Sequence, residues 1–193
     1  MSGWAGVDVG GPRKGFDVAV IDRRGLVALE RVGSAREVAR RLAGFAPRVV
    51  AVDSPRRAAP DGERSRACER EVARRVCGIR YTPDERALHS HPGSYYDWIL
   101  NGRDLYAELA AFDVVECFPT ATWTQLAGPR GRRSRAAWSC DALAGLAIAG
   151  VPERLGQDAR DAVGAALTAR LFDEGGCELV GGEIAVPAPR APG

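Results

Sequence analysis

Lysine is almost missing from this chain: of 27 basic residues among 193, Lys14 alone is not an arginine. A bias toward arginine codons accounts for that without function, although arginine is also the better bidentate partner for phosphate wherever it clusters. Strong overall charge is lacking too. The net charge is +2 at neutral pH, so any signal for a polyanionic partner must be local. Long apolar runs are absent, because Arg, Asp or Glu interrupts every candidate, and no membrane partner is expected. Met1-Ser2-Gly3-Trp4 leads directly into a strand pattern, which leaves no signal peptide and makes a cytoplasmic protein the expectation. The five cysteines (Cys68, Cys77, Cys117, Cys140, Cys177) are odd in number and never at C-x-x-C spacing. That argues against a disulfide framework or a zinc cage and leaves reduced thiols. There is no internal repeat. Gly10-Gly11-Pro12-Arg13-Lys14-Gly15 is not a Walker A loop, since no G-K-[ST] opens a helix.

What is present is an ordinary globular composition, 46% hydrophobic and 27% charged, of a size that fits one domain. Ala5–Gly10, Phe16–Ile21 and Leu26–Val32 read as three strands joined by turns, hence an antiparallel ribbon. Ser34, with Glu37 three residues on, marks the start of a helix over Ala35–Phe45. Arg48–Asp53 and Asp113–Phe118 are nearly all-apolar runs, as expected of strands covered on both faces. Helices are predicted over Arg64–Val76, Asp104–Phe112, Trp138–Ile148 and about Asp158–Phe172, with an irregular or helical insert at 78–104. The expectation is a single α/β domain over 1–186 with a five-stranded mixed sheet, three strands antiparallel and two parallel, and a disordered tail at 187–193.

Three of these strands each carry one carboxylate near an end: Asp8 in GVDVGG, Asp53 in VVAVDSP and Glu116 in VVECFP. A charge in an apolar strand is costly unless it is paired or holds a metal. Asp158 and Asp161 lie three apart on the last helix and share a side. Gathered together, such groups repel and raise one another's pKa, a conflict that a hard divalent cation, Mg²⁺ or Mn²⁺, removes. Two such ions, roughly 4 Å apart, can activate a water and stabilise the leaving oxygen of a phosphodiester. Each acid also has a local explanation. Asp8 could open a turn, Asp53 could cap one, and Asp158 and Asp161 suit the first turn of a helix.

The set G-V-D-V-G-G, A-V-D-S-P, R-x-C-E (Arg66 to Glu69), V-V-E-C-F-P and D-A-x-x-A-A-L-T-A resembles a family of uncharacterised bacterial and archaeal proteins classed as predicted nucleases of RNase H fold. The likeness runs through the closing G-G-E-I-A-V-P. The helix D-A-R-D-A-V-G-A-A-L-T-A is also similar to the corresponding helix of RuvC-type junction resolvases. The resemblance implies an RNase H-like fold and Asp8, Asp53, Glu116 and Asp161 as catalytic metal ligands, with Asp158 as an auxiliary. The chain departs from the family pattern at Gln157, Glu69 and Cys117-Phe118.

Lys14 in the glycine-rich turn, Arg66, and Arg133 and Arg135 in the Arg130–Arg135 segment are the candidate substrate contacts. A basic loop there suits the backbone of DNA or RNA, and a solvated charge run explains it equally. Tyr95, Tyr96 and Trp98 could stack on bases or simply pack the insert onto the core. His89 and His91 read as solvent-facing rather than metal-binding. The leading expectation is a metal-dependent nuclease. The alternatives are a nucleotide or phospho-metabolite enzyme of actin-like ATPase type and a non-catalytic nucleic-acid-binding module of the same fold.

Overall fold

A computed structural model describes residues 3–190. The three-strand ribbon forms as predicted: β1 (Trp4–Val9) pairs antiparallel with β2 (Phe16–Asp22), and β2 with β3 (Gly25–Val32). Helix α1 (Ala35–Phe45) follows, its first turn held by Ser34 Oγ, which accepts a hydrogen bond from the Glu37 N–H at 3.3 Å. Strand β4 (Val50–Asp53) then adds parallel to β1, and β5 (Val114–Cys117) adds parallel to β4. Between them lie α2 (Ala67–Arg75), α3 (Glu85–Ser90) and α4 (Asp97–Glu108). Helix α4 begins seven residues before the expected Asp104, so the insert is largely helical.

The sheet has seven strands in the order β3-β2-β1-β4-β5-β7-β6, not five. Beyond β5 come α5 (Pro119–Ala127), α6 (Arg135–Gly145) and α7 (Gln157–Asp173). The chain closes with the hairpin β6 (Cys177–Val180) and β7 (Ile184–Pro187), β7 adding parallel to β5. Both added strands have four residues, too short for an alternating pattern, and Gly181-Gly182 between them supplies the left-handed turn. Pro187 belongs to β7, and the Ala188 and Arg190 N–H groups donate to Gly176 and Gln125. The rest of the expected tail, 191–193, and the start of the chain, Met1-Ser2, lie outside the described residues.

Pleating gives the sheet two apolar faces. Ala5, Val7, Val18, Val20, Val50, Val52 and Val114 pack against Val38 and Leu42 of α1, Leu105 of α4 and Leu109 at its C-cap. Trp4, Ala19, Ile21, Ala51, Val115 and Cys117 face Ala162–Ala169 of α7, which α5 and α6 cover in turn through Trp123, Trp138 and Leu143. Helix α7 is thus buried on nearly all sides, which explains its run of small residues. Gly6 is where it presses hardest on β1, since any Cβ there would overlap the backbone of Ala162, Ala165 and Ala166. Among the described residues no helix is long and apolar enough to cross a membrane.

Candidate active site

Strands β1 and β4 end side by side, and their register places Asp8 opposite Asp53 on the face that α7 covers. On the other flank of β1, Asp8 lies opposite Asp17 of β2. Helix α7 lays Asp158 and Asp161, both in its first two turns, over the same strand ends. Single carboxylate oxygens of Asp8, Asp17 and Asp158 lie within 4.8 Å of one another, a spacing that suits one cation. Asp8, Asp53, Asp158 and Asp161 line one cavity of about 910 Å³ together with Gly10, Gly11, Lys14, Trp98, Arg130 and Arg135.

Crowding of like charges sets the electrostatics. Burial, then the charges of Asp161, Asp158 and Asp17, push the Asp8 carboxyl up to about 7, with Lys14 opposing. Burial and the neighbouring Asp8 and Asp161 likewise hold Asp53 well above the usual carboxylate range, although Arg135 opposes them. Asp161 is raised by burial, against Arg135, Gln157 and Trp123. Three cations of the chain partly offset the acids. Lys14 Nζ is 2.7 Å from Asp158, Arg31 Nη2 bridges Asp17 (2.8 Å) and Asp158 (3.2 Å), and Arg135 Nη2 meets Asp161 at 2.8 Å. The facing pair Asp8 and Asp53 has no such ion pair among the described residues.

Asp161 is the most firmly placed of the group. Trp123 Nε1 donates to it at 3.1 Å and Gln157 Nε2 at 3.0 Å, and Arg160 Nη2 in turn donates to Gln157 Oε1. Helix capping does not explain these acids: Gly156 is the N-cap, Asp158 sits at the second helical position, and Asp161 lies in the helix interior. Gln157 thus serves to orient an acid.

Glu116 lines the same cavity but projects from the other face of the sheet. It pairs in register with Val52, not Asp53, so the pleat turns its side chain to the opposite face of the sheet. There both carboxylate oxygens are taken by Arg66, and the Arg56 N–H donates at 2.9 Å. Burial raises Glu116, and the Arg66 guanidinium works against that rise. Arg66 itself is only 2% exposed and also binds Glu69 and Glu183, so its donors are committed within the fold. Glu69 is fully buried between Arg66 and Thr82. The R-x-C-E element therefore assembles a buried ionic network at the wall of the cavity, in which Glu116 and Arg66 are paired with each other.

Lys14, Arg66 and Arg135 all line the acidic cavity. Arg133 instead turns back on its own loop, donating to the Arg130 and Pro129 carbonyls, while Arg130 lines the cavity. Sequence reasoning missed Asp17, Arg31, Trp123 and Gln157. Of these only Asp17 carried a legible signal, since a hairpin closing at Val9–Phe16 must set Asp17 beside Asp8.

No protein-family model and no curated protein sequence matches this chain. Among solved structures it is similar to RuvC of Thermus thermophilus, 20% identical over 95% of this chain and 98% of that one, with a TM-score of 0.48. It is also similar to T. thermophilus RuvC in complex with a Holliday junction substrate. There the identity is 18% over 97% and 99% of the two chains, and the TM-score is 0.54. The architecture is thus that of an RNase H-like α/β fold of the RuvC kind.

Proposed function

We propose that this chain is a metal-dependent nuclease hydrolysing phosphodiester bonds of DNA or RNA at the Asp8–Asp53 edge of the sheet. The observation that carries the reading is the pairing of Asp8 with Asp53 under Asp158 and Asp161, an excess of negative charge that Lys14, Arg31 and Arg135 only partly offset. A donor set made wholly of carboxylates fits Mg²⁺ or Mn²⁺ and does not suit a soft metal. Asp8, Asp17 and Asp158, whose oxygens are close enough to share one ion, would hold it, with Asp53 and Asp161 beside them on the cavity wall; Glu116 lines the same cavity but is paired with Arg66. When bound there, such an ion supplies Lewis-acid stabilisation to the phosphate and lowers the pKa of water.

The chain's own residues do the rest. Trp123 and Gln157 fix the Asp161 carboxylate so that it need not reorganise. Lys14 and Arg135, exposed at the cavity wall, can exchange their carboxylate partners for phosphate oxygens of the backbone. A protonated Asp8 is a poor ligand and a poor partner for Lys14, so binding of an ion is coupled to release of its proton. The solved relative bound to a four-way junction is a neighbour in fold, and it makes branched DNA a sensible member of the substrate panel. The actin-like ATPase alternative needs two lobes around a nucleotide, whereas one sheet organises the described residues.

The test is titration calorimetry with Mn²⁺, alongside cleavage assays on single-stranded, duplex and branched DNA and RNA. Wild type should bind the ion in the micromolar-to-millimolar range and cleave at least one substrate, and Asp8→Asn should abolish both. Absence of ion binding by the wild type, or undiminished cleavage by Asp8→Asn, removes the proposal. Salt-sensitive binding of nucleic acid without turnover selects the non-catalytic module instead.

A further inference from the structure

Three of the four tryptophans are structural. Trp4, Trp123 and Trp138 are at most 3% exposed, and their indole N–H groups donate to Asp173, Asp161 and the Gly128 carbonyl. Trp98 differs on both counts. It is partly exposed, it lines the acidic cavity, and among the described residues its N–H has no partner.

Its place is fixed by the way α4 docks. Asn101 Nδ2 donates to the Gly10 carbonyl at 2.8 Å, just past Asp8. Gly102 lies so close to Ser54, just past Asp53, that a Cβ would overlap the Ser54 hydroxyl. Trp98 stands three and four residues before these, on the same side of the helix. The helix therefore delivers the indole to the end of the sheet where the two aspartates meet. One turn earlier, Tyr95, Tyr96 and His91 form a ring cluster with centroids 4.8 to 5.4 Å apart, and Tyr95 is 56% exposed. Arg80 and Arg130 line the same cavity, are exposed, and among the described residues pair with no carboxylate.

We propose that Trp98 is a stacking platform for an unpaired nucleobase beside the carboxylate site, with Tyr95 and Tyr96 leading into it and Arg80 and Arg130 taking the adjoining phosphates. The inference rests on the nuclease reading and narrows its substrate to nucleic acid with single-stranded or flipped-out bases. A π-face stacks on any base, so the site is tolerant of sequence; bases inside an uninterrupted duplex already stack on one another and cannot reach the indole without being extruded. The cavity, near the upper end of the roughly 300–1,000 Å³ of small-molecule sites, has room for a base as well as a phosphate.

The experiment is fluorescence anisotropy in chelator, without turnover, with a labelled oligothymidine of about 12 nucleotides and a blunt duplex of the same length. Trp98→Leu should weaken oligothymidine binding between about fivefold and a hundredfold, leave duplex binding unchanged, and be largely rescued by Trp98→Phe. In the unaltered protein, saturating oligothymidine should quench tryptophan emission, since Trp98 is the accessible indole. Equal affinity of Trp98→Leu and wild type for oligothymidine, an equal loss on both probes, or no quenching at saturation overturns the platform while leaving the nuclease reading intact. Binding of neither probe by the wild type overturns both.

Discussion

Asp8 is confined among Asp17, Asp53, Asp158 and Asp161 with Lys14 as the nearest compensating charge, and this has a consequence for stability as well as for chemistry. Its carboxyl titrates near 7 in the folded chain against 3.8 when exposed, so the folded state binds this proton more tightly than the unfolded one. The associated stability is complete below about pH 4 and is lost as pH rises through about 7. Asp53 and Asp161 shift in the same direction. In chelator the melting temperature should therefore fall across that window. Asp8→Asn, which resembles the protonated form, should flatten the fall and melt at least about 3 °C higher than wild type at pH 8. Parallel melting curves for the two proteins would show that the repulsion is already relieved. Such crowding was legible from the sequence for Asp8, Asp53, Asp158 and Asp161, because an acid in an apolar strand or early in an apolar helix is conspicuous. It was not legible for Glu116. A strand motif records that an acid is present but not which neighbour it meets, and a register one residue short of Asp53 turns Glu116 away.

Helix α7 places two of the five acids, Asp158 and Asp161, and its height above the sheet is set by what β1 lacks. Gly6 leaves room for the Ala162–Ala166 backbone to rest directly on the strand. Gly6→Ala should lift the helix, cost about 3 kcal/mol of stability, and weaken Mn²⁺ binding because Asp161 moves away from Asp8. The control is Gly44→Ala in α1, where nothing lies within 4 Å and a gain of about 0.5–1 kcal/mol is expected. Thermal melts and calorimetry on the two variants check both statements, and a Gly6→Ala protein as stable as wild type contradicts the first. The long elements were readable because periodicity needs length. Helices α1 and α7 came out within a residue or two, whereas α5, β6 and β7 did not. Helix α5 starts at Pro119, which reads as the end of a strand as readily as the first turn of a helix. Strands β6 and β7 are short and flanked by glycine and proline, and it is pairing with β5 rather than local preference that makes them strands.

Across the whole molecule a net charge of +2 conceals a separation of sign, with acids at the strand ends and Arg130, Arg132 and Arg133 on the loop beside them. If that loop holds a nucleic-acid backbone, replacing the three arginines by alanine should reduce the salt dependence of single-strand binding in chelator. The expected change is a log–log slope shallower by about 0.7 for each phosphate no longer neutralised, and an unchanged slope would assign the loop to solvent. The strand order carries a last implication, for how the protein is made. Asp8 is synthesised well before the helix that completes its surroundings, which ends at Asp173, and the closing strand, which ends at Pro187. At ordinary translation rates that interval is on the order of ten seconds, during which β1 has neither its covering helix nor its full complement of acids. On the proposed nuclease reading, a nascent chain would lack its complete carboxylate site while it is still tethered among messenger, transfer and ribosomal RNA.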